Sequence, residues 1–367
     1  MLYSKSRRTV LRSWTLSAAL AALACSGLAY GADQAAAPGA LTIDGELIAD
    51  AATYTAAKNE TLSLYTGYVQ SPEKVLVADF TKDTGIKVNM VRLTPNQLVE
   101  RVLSEQGAGK LGADIIRTSD YPNALSMEKA GVWKKYVPAV TQQLPGVSLD
   151  DGLFNLVFDS VYTIGYNTQL VDQKAAPKSW MDMVNGQWKK KIGIVQGGSG
   201  GSTAALNRFM IERLGEDYFK KYASQDPIIY SSLGQEAIAL ARGEIQVGTV
   251  KISDLAVLAT VDKAPLMFVV PTEGVAVYDY YLGMTSSVKH EAAAKVFINY
   301  NLSKRGQNIF SKIGEYPVRT DVPAPTVLGV TLPPITSKQY FRMSTQDSMK
   351  YSKGDLAKWN ADFKFSK

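Results

Sequence analysis

LSLYTGYVQSPEKVLVADFTKDTGIKV, residues 62–88, contains one complete strand–helix–strand unit. The pattern predicts a strand at Leu62–Tyr65, a loop that reaches Pro72, and a helix that continues through Phe80. A second strand, Ile86–Val91, follows the Thr-Gly pair that ends the helix. A strand, a crossover helix and a second strand of this kind are typical of an α/β protein with a parallel sheet.

The alternation continues outward from this unit. A helix with apolar residues at Leu98 and Val102 leads to a buried strand, Ala113–Ile116, and a further helix, Tyr121–Ala130, ends before Gly131. Because parallel strands place their carboxyl ends at one edge, we expect a ligand to bind there.

A second alternating series begins further along the chain. It follows an extended segment, Val157–Tyr166, and starts with strand Ile192–Val195, helix Thr203–Leu214 and strand Ile245–Val250. Two α/β units of comparable size predict two lobes rather than one long sheet. Two more helices are predicted between these strands, Tyr218–Tyr222 and Gly234–Ala241.

Residues 1–31 have the pattern of a secretory signal peptide. Four cations precede an apolar run from Trp14 to Tyr30, which is shorter than the ~20 residues of a membrane span. Residues 6–12, SRRTVLR, resemble a twin-arginine export signal, and an ordinary basic n-region explains them equally well. Cleavage before Ala32 leaves no cysteine in the mature chain. Cleavage before Cys25 would instead make this cysteine the first residue and permit a lipid anchor on it. We predict a periplasmic protein, and we favour cleavage before Ala32.

The predicted mature chain of about 335 residues is long enough for two domains. Residues 32–43 are predicted to be a flexible lead-in, followed by a helix over Ile43–Lys58 with Asp44 as its N-cap. The leader carries four of the 40 cations and none of the 34 anions, so the mature chain is close to +2. Its positive and negative charges are interspersed along the sequence, so we do not expect a nucleic-acid-binding surface.

In this order the segments resemble the type II periplasmic solute-binding proteins of ABC importers, in the branch that includes ferric-ion-binding proteins. The stretches that carry the resemblance are 64–67 (LYTG), 80–88 (FTKDTGIKV), 112–116 (GADII), 165–167 (GYN), 188–192 (WKKKI), 243–244 (GE), 271–274 (PTEG), 302–303 (LS) and 306–307 (GQ).

The resemblance implies two Rossmann-like lobes joined by hinge strands, with the ligand in the cleft between them. Lobe 1 is expected over residues 44–165 and about 270–322, and lobe 2 over residues 166–269 and about 323–367. An ABC permease in the inner membrane is the implied partner, and a monomer is expected.

The iron-binding members of this branch hold the metal with a histidine, an acidic residue and two tyrosines. The matching positions here are Val69, Ser119, Ser253 and Asp254, so the expected ligands are missing. The chain has one histidine, His290, in the charged start of a predicted helix. We therefore predict no metal site and no cofactor. The tandem pair Tyr280-Tyr281 is assigned to a strand or to wall packing.

The glycine-rich loop at residues 196–203 is the feature that points to a ligand. Glycines let backbone N–H groups approach a ligand, and the following helix directs its positive end towards it. Relatives in the branch bind an anion at this position, although a plain flexible turn is the alternative. The predicted ligand-binding residues in this loop are Gly198, Ser199, Gly200, Gly201, Ser202 and Thr203.

Polar and aromatic residues at other strand ends supply the remaining candidates. A tyrosine there offers a flat apolar surface and a hydroxyl, Lys251 could neutralise an acid, and Asp254 or Asp120 could pair with an ammonium. Tyr65 could equally point into the core, and Glu273 is a weaker candidate that could cap a turn. The predicted residues are Tyr65, Thr66, Gly67, Tyr68, Thr118, Ser119, Asp120, Lys251, Ser253, Asp254 and Tyr278.

These features predict capture of a small organic anion, such as a carboxylate, phosphonate or phosphate ester. A polyamine, a sugar and a ferric ion or chelate remain alternatives. An enzyme is not expected, because the mature chain lacks a cysteine nucleophile and shows no paired catalytic carboxylates. A sensor module would need a tether or a signalling domain, which the sequence does not display.

Overall fold

Thirteen strands form one curved sheet in residues 38–366, which are the residues that the computed structural model describes. Two small hairpins lie outside this sheet, β1 with β2 and β15 with β16. In chain order the strands are β1 Leu41–Ile43, β2 Glu46–Ala49, β3 Thr61–Thr66, β4 Lys87–Arg92, β5 Ile115–Ser119, β6 Trp133–Lys134, β7 Ser148–Leu149, β8 Phe154–Asn167, β9 Ile192–Val195, β10 Ile228–Tyr230, β11 Val247–Lys251, β12 Leu266–Val269, β13 Val275–Thr285, β14 Tyr316–Pro317, β15 Thr326–Val327, β16 Val330–Thr331 and β17 Tyr340–Arg342.

Helices cover both faces of the sheet ends, as expected for parallel strands joined by crossovers. They are α1 Ala51–Ala57, α2 Gln70–Thr84, α3 Pro95–Gly107, α4 Tyr121–Lys129, α5 Gly201–Leu214, α6 Tyr218–Ala223, α7 Leu233–Arg242, α8 Ile252–Thr260, α9 Glu291–Leu302, α10 Lys304–Ile313 and α11 Thr345–Asp362. No helix within residues 38–366 combines the length and the apolar character needed to cross a bilayer.

The sheet has a parallel group of strands at each end. At one end β3 lies between β4 and β5, and at the other β9 lies between β10 and β11. The main strand order is β10-β9-β11-β8-β13-β5-β3-β4. The long strands β8 and β13 are antiparallel to each other and join the two groups, so they occupy the place expected of hinge strands.

Each hinge strand pairs with one group of strands and with the other hinge strand. The first part of β8 pairs with β13, and its last part, Tyr162–Tyr166, pairs with β11. The carboxyl-terminal part of β13, Tyr280–Met284, pairs with β5. The two lobes are therefore connected through adjacent antiparallel strands, an arrangement that lets one group rotate against the other.

The two faces of the hinge strands carry different side chains. Directly paired residues point to the same face, and neighbours along a strand point to opposite faces. Ser160 pairs with Tyr278, whereas Asp159 pairs with Asp279 one residue away. We call the face with Tyr278 the front face, because it contains the site described below.

The predicted helix over Ile43–Lys58 is wrong. Asp44 and Gly45 both have positive φ, 50° and 80°, and form a tight turn between β1 and β2. An Asp-Gly pair favours such a hairpin turn. The helix begins only at Ala51, where the carboxylate of Asp50 accepts a hydrogen bond from the N–H of Thr53 at 2.7 Å. β1 also begins inside the segment predicted to be a flexible lead-in.

Most of the other predicted elements are present with shifted ends. Strand Ile192–Val195 is observed as predicted, and α4 ends at Lys129 beside a left-handed Gly131. The predicted strands Ala113–Ile116 and Ile245–Val250 start two residues later in the structure. The predicted signal peptide, including Cys25, lies outside the described residues, and the predicted lobe limits remain a prediction.

Glu236 of α7 provides a test of how burial of a carboxyl affects stability. Its Oε1 accepts a hydrogen bond from the N–H of Thr249 at 2.7 Å, and burial raises the pKa of Glu236 to about 8. Because folding raises this pKa, the stabilisation is complete below the ordinary value of 4.5 and is lost as pH rises through 8. In urea unfolding we expect the stability to fall by about 3–5 kcal/mol more between pH 5 and pH 8.5 in the unsubstituted protein than in Glu236→Gln.

Glu244 gives the matched control, since its side chain is about half exposed. Glu244→Gln should leave the pH dependence of unfolding as it is in the unsubstituted protein. An unchanged dependence in Glu236→Gln would contradict the prediction.

Candidate functional site

The turn after β3 places Tyr68 on the front face. Thr66 Oγ1 donates to Glu73 Oε2 at 2.6 Å and accepts from the N–H of Tyr68 at 3.0 Å, and Gly67 N–H donates to the carbonyl of Arg117 at 2.9 Å. Thr66 and Gly67 therefore stabilise the turn, and the turn places the side chain of Tyr68 on the front face.

Tyr68 reaches a buried carboxylate from a distant part of the chain. Its hydroxyl donates to Glu315 Oε1, which also accepts from Ser160 Oγ at 2.9 Å. Both Tyr68 and Glu315 are fully buried, and burial raises the pKa of Tyr68 well above its usual value. The phenol is thus a permanent hydrogen-bond donor at the centre of the front face.

Lys251, the last residue of β11, lies against the same carboxylate. Its Nζ is 3.6 Å from Glu315 Oε1, and both side chains have no exposed surface. Burial lowers the pKa of Lys251 to about 8, against the opposing effect of Glu315. Lys251 does neutralise an acid, but the acid belongs to this chain.

The first turn of α8 contributes a second buried carboxyl. Burial raises the pKa of Asp254 to about 7, although Lys251 and Arg92 oppose the shift. Asp254 Oδ2 and the hydroxyl of Ser253 have no hydrogen-bond partner within the described residues. These two residues are therefore buried polar groups of α8 whose hydrogen-bonding capacity is not filled by the described residues.

The glycine loop between β9 and α5 is held by its own hydroxyls and by close packing. Thr203 Oγ1 donates to the carbonyls of Gly197 and Gly200, and Ser199 Oγ donates to the carbonyl of Ser231. A Cβ on Gly197 would lie 2.7 Å from the indole of Trp359. Position 197 therefore needs a glycine because a side chain there would collide with Trp359 of α11, in addition to any need for close contact with a ligand.

Ser202 connects the loop to the hinge. Its hydroxyl lies 3.3 Å from the hydroxyl of Tyr162, whose ring is 5.1 Å from that of Tyr278. Tyr278 OH is buried without a partner in the described residues. The first turn of α5 carries no acidic residue of its own, so nothing within that turn neutralises the positive end of the helix.

A cavity of about 310 Å³ opens beside the loop. This volume is at the lower end of the range typical of small-molecule sites. Its walls come from the glycine loop, from the starts of α3 and α4, and from α11: Asn96, Asp120, Asn123, Gly197, Gly198, Gly200, Ser348, Ser352, Lys353 and Leu356 are among the lining residues.

Asp120 is the acidic group in this cavity. Its backbone has φ of 72°, unusual for a residue other than glycine, and its N–H donates to the carbonyl of Asp279 at 3.1 Å. Burial, assisted by the charge of Asp279, raises the pKa of Asp120 to about 6. A carboxylate is thus available opposite the glycine loop at neutral pH.

Contacts across the cavity join the two groups of strands. Asn96 Nδ2 donates to the carbonyl of Gly198 at 2.9 Å, and a Cβ on Gly200 would lie 2.6 Å from Pro95. The start of α3 therefore touches the glycine loop directly, which is the relation expected of a closed cleft.

Several predicted site residues lie away from both the cavity and the buried group of Tyr68, Glu315 and Lys251. The hydroxyl of Tyr65 accepts from Arg101 Nη2 at 3.1 Å on the outer side of β3, and its ring packs in a separate apolar cluster. Thr118 pairs with Tyr281, on the face opposite Ser119. Glu273 accepts from the N–H groups of Trp180 and Met181, as a turn-stabilising residue does. Tyr280 and Tyr281 both lie in β13, as the sequence indicated, but only Tyr281 lies away from this group, because the ring of Tyr280 is 5.0 Å from that of Tyr68.

Some residues of the site were not predicted from the sequence. Tyr162 and Ser160 belong to an apolar strand, and Glu315 lies in the short link between α10 and β14. Trp359 and the rest of α11 were not predicted to contact the glycine loop. The period-two alternation of Ser160, Tyr162 and Tyr166 is a signal for one polar-aromatic face of β8.

Within residues 38–366 no group of three or more histidine, cysteine or acidic side chains could hold a metal ion. His290 Nδ1 lies 2.8 Å from Asp114 Oδ2 at the start of α9, far along the chain from the glycine loop.

The family described as bacterial extracellular solute-binding protein matches residues 75–331 of this chain. This match covers more than half of the sequence. The chain belongs to the bacterial extracellular solute-binding protein family.

Two relatives and one solved structure illustrate the range of the family. The chain is 27% identical to spermidine/putrescine-binding periplasmic protein 1 of Haemophilus influenzae, over 70% of this chain and 74% of that protein. It is 25% identical to a putative 2-aminoethylphosphonate-binding periplasmic protein of Salmonella typhimurium, over 66% and 73% of the two chains. The periplasmic binding protein AfuA of Actinobacillus pleuropneumoniae, with fructose-6-phosphate bound, has a TM-score of 0.65 and 19% identity, over 84% and 100% of the chains.

These findings confirm the predicted class and the predicted fold. This solute-binding protein is a periplasmic substrate-binding component of an ABC importer, and it has the two-lobed α/β fold of type II periplasmic binding proteins. The proteins to which it is similar are named as binding proteins.

Proposed function

We propose that this protein captures a small organic anion in the cleft and presents it, with its lobes closed, to an ABC permease. A carboxylate, a phosphonate or a phosphate ester is the expected ligand class. The single observation that carries the proposal is the start of α5, a 14-residue helix whose glycine-rich amino terminus lines a cavity of about 310 Å³.

The electrostatics at this helix end support an anion. Unpaired backbone N–H groups and the helix dipole favour negative charge at the first turn. Ser202 adds a hydroxyl there, and Tyr162 and Tyr278 add phenols whose raised pKa values, caused by burial, keep them protonated as donors. The start of α5 therefore combines backbone N–H donors with neighbouring hydroxyl donors, and both favour an anion.

Asp120 suggests a second feature of the ligand. Its carboxylate lines the same cavity as Gly198 and Gly200. A ligand that carries an ammonium beside its acid could pair the ammonium with Asp120 and the acid with α5. The relative named for 2-aminoethylphosphonate and the neighbour with bound fructose-6-phosphate both support a phosphorus-containing or acidic ligand.

A polyamine is the second candidate, and the relative named for spermidine and putrescine supports it. Polyamine recognition needs several carboxylates that converge on the ligand. Here Glu315 already faces Lys251, so Asp120 and Asp254 are the acids left for a cation. The organic anion is therefore the better-supported ligand.

Lobe closure would couple binding to recognition by the permease. Each group of strands supplies part of the cavity, so the ligand binds the closed form more tightly and shifts the population towards it. No reaction of the ligand is required in this scheme. We expect the mature protein to act as a monomer in the periplasm after removal of its leader.

A thermal-shift screen of the purified mature protein tests the proposal. Organic acids, phosphonates and phosphate esters are compared with spermidine, putrescine, sugars and ferric citrate, and hits are measured by calorimetry. We expect an organic anion to raise the melting temperature by several degrees. Stabilisation by spermidine alone or by ferric citrate alone would overturn the anion assignment.

Gly201→Asp gives this experiment a charge-specific variant. A carboxylate at the first residue of α5 should repel a bound anion and weaken its affinity about tenfold or more, which corresponds to about 1.4 kcal/mol. Gly201→Asn is the matched control because it has nearly the same size without the charge. Equal affinities of the two variants would argue against an anion at this helix end.

A further inference from the structure

The ammonium of Lys251 is enclosed by three tyrosine rings. Its Nζ lies 3.7 Å from the centroid of the Tyr68 ring, 4.6 Å from that of Tyr280 and 5.6 Å from that of Tyr278. All three distances are within the ~6 Å over which a ring face attracts a cation. The side chain of Lys251 has no exposed surface.

A carboxylate completes this enclosure. Glu315 Oε1 is 3.6 Å from Nζ and is fixed by the hydroxyls of Tyr68 and Ser160. Nζ itself makes no hydrogen bond within the described residues, and neither does Glu315 Oε2. Ring faces and a carboxylate around an ammonium without hydrogen bonds form an aromatic cage, the arrangement by which proteins bind quaternary ammonium and methyl-lysine ligands. We call these four residues, Tyr68, Tyr278, Tyr280 and Glu315, the ammonium cage.

The cage walls do not depend on the lysine for their position. Tyr68 is held by the turn after β3, and Tyr278 and Tyr280 lie in the hinge strand β13. The rings also contact one another, since Tyr68 and Tyr280 are 5.0 Å apart and Tyr278 and Tyr280 are 5.6 Å apart. Truncation of Lys251 would therefore leave the cage with its walls in place.

We propose that Lys251 is a specificity-determining residue, which occupies the ammonium cage in place of a ligand's primary ammonium and so excludes such an ammonium from the cage. This role of Lys251 rests on the proposed function in one respect, because it explains why the protein prefers an anion. We also infer that the cage is a latent site for primary alkylammonium ions.

Lys251→Ala tests the inference with a probe of matched size. The substitution removes three methylene groups and the ammonium, and n-propylammonium restores these atoms. In calorimetry and in thermal-shift measurements against sodium chloride at equal concentration, we expect the variant to bind n-propylammonium at least tenfold more tightly than the unsubstituted protein does.

Two further variants separate cage binding from general effects of salt or stability. Lys251→Met fills the cage with an uncharged chain of similar length and should gain no affinity for the amine. Lys251→Ala with Glu315→Gln removes the carboxylate and should lose the gain. Equal responses of Lys251→Ala and Lys251→Met, or no response of Lys251→Ala, would overturn the inference.

Loss of folding would also be informative. If Lys251→Ala does not fold alone, n-propylammonium should restore its folding in circular dichroism, whereas failure to do so while Lys251→Met folds would contradict the cage. These readouts use an amine and not an anion. The ligand screen of the unsubstituted protein can therefore fail or succeed independently of them.

Discussion

Gly200→Ala should reduce the affinity for the ligand about tenfold to a hundredfold, or about 1.4–2.8 kcal/mol, while the stability of the ligand-free protein changes little. The new Cβ would lie 2.6 Å from both Cβ and Cγ of Pro95. Pro95 is the first residue of α3, which belongs to the opposite group of strands. The clash therefore opposes closure and leaves the open form free of strain. Calorimetry with the ligand found in the screen measures the loss.

Gly198→Ala is the matched control for this prediction. Its Cβ would meet Leu356 at 3.4 and 3.5 Å, which are ordinary contact distances, so its affinity should change little. A second substitution, Pro95→Gly, removes the opposing ring and should restore most of the affinity of Gly200→Ala. If Gly200→Ala binds as tightly as Gly198→Ala does, the contact between α3 and the glycine loop has no part in ligand binding.

Trp359→Ala should destabilise the protein by about 3–5 kcal/mol, the range for loss of a large buried aromatic side chain. Trp359 has no exposed surface, lies against Gly197, and stacks on Phe363 with ring centroids 4.3 Å apart. Its loss leaves a cavity between α11 and the glycine loop. Urea unfolding measures the stability, and the same samples should show weaker ligand binding because the loop loses its support.

Met349→Ala on the same helix is the control, because this side chain is 71% exposed. We expect its stability to remain within about 0.5 kcal/mol of that of the unsubstituted protein. A loss below about 1 kcal/mol in Trp359→Ala would mean that the cavity collapses and that α11 is not a structural cover of the loop.

The strand–helix alternation made most of the fold predictable. Strand Ile192–Val195 is a short buried run between turn residues, so its ends are visible in the sequence. The region around Asp44 was misassigned because the apolar spacing of residues 43–58 fits a helix, whereas a two-residue turn with positive φ controls the local structure. The turn chemistry of an Asp-Gly pair outweighs apolar spacing there.

The candidate site was predictable only where it follows the ends of strands. Tyr68, Lys251, Ser253 and Asp254 were found in this way. Glu315 was not, because its contact with Tyr68 spans 247 residues of sequence and no local pattern encodes it. Tyr65 has a typical residue type and position for a ligand contact, but the pleat of β3 directs it to the other side, against α3.

The packing of Trp359 on the glycine loop has a spectroscopic consequence. An indole in contact with a ligand-binding loop changes its emission when the dielectric surroundings of that loop change. Trp359 should therefore act as an intrinsic fluorophore that reports occupancy of the cleft. The other tryptophans of the described residues are buried at different places in the fold and should supply a constant background: Trp133, Trp180 and Trp188. Titrations of unlabelled protein can then be followed by fluorescence alone.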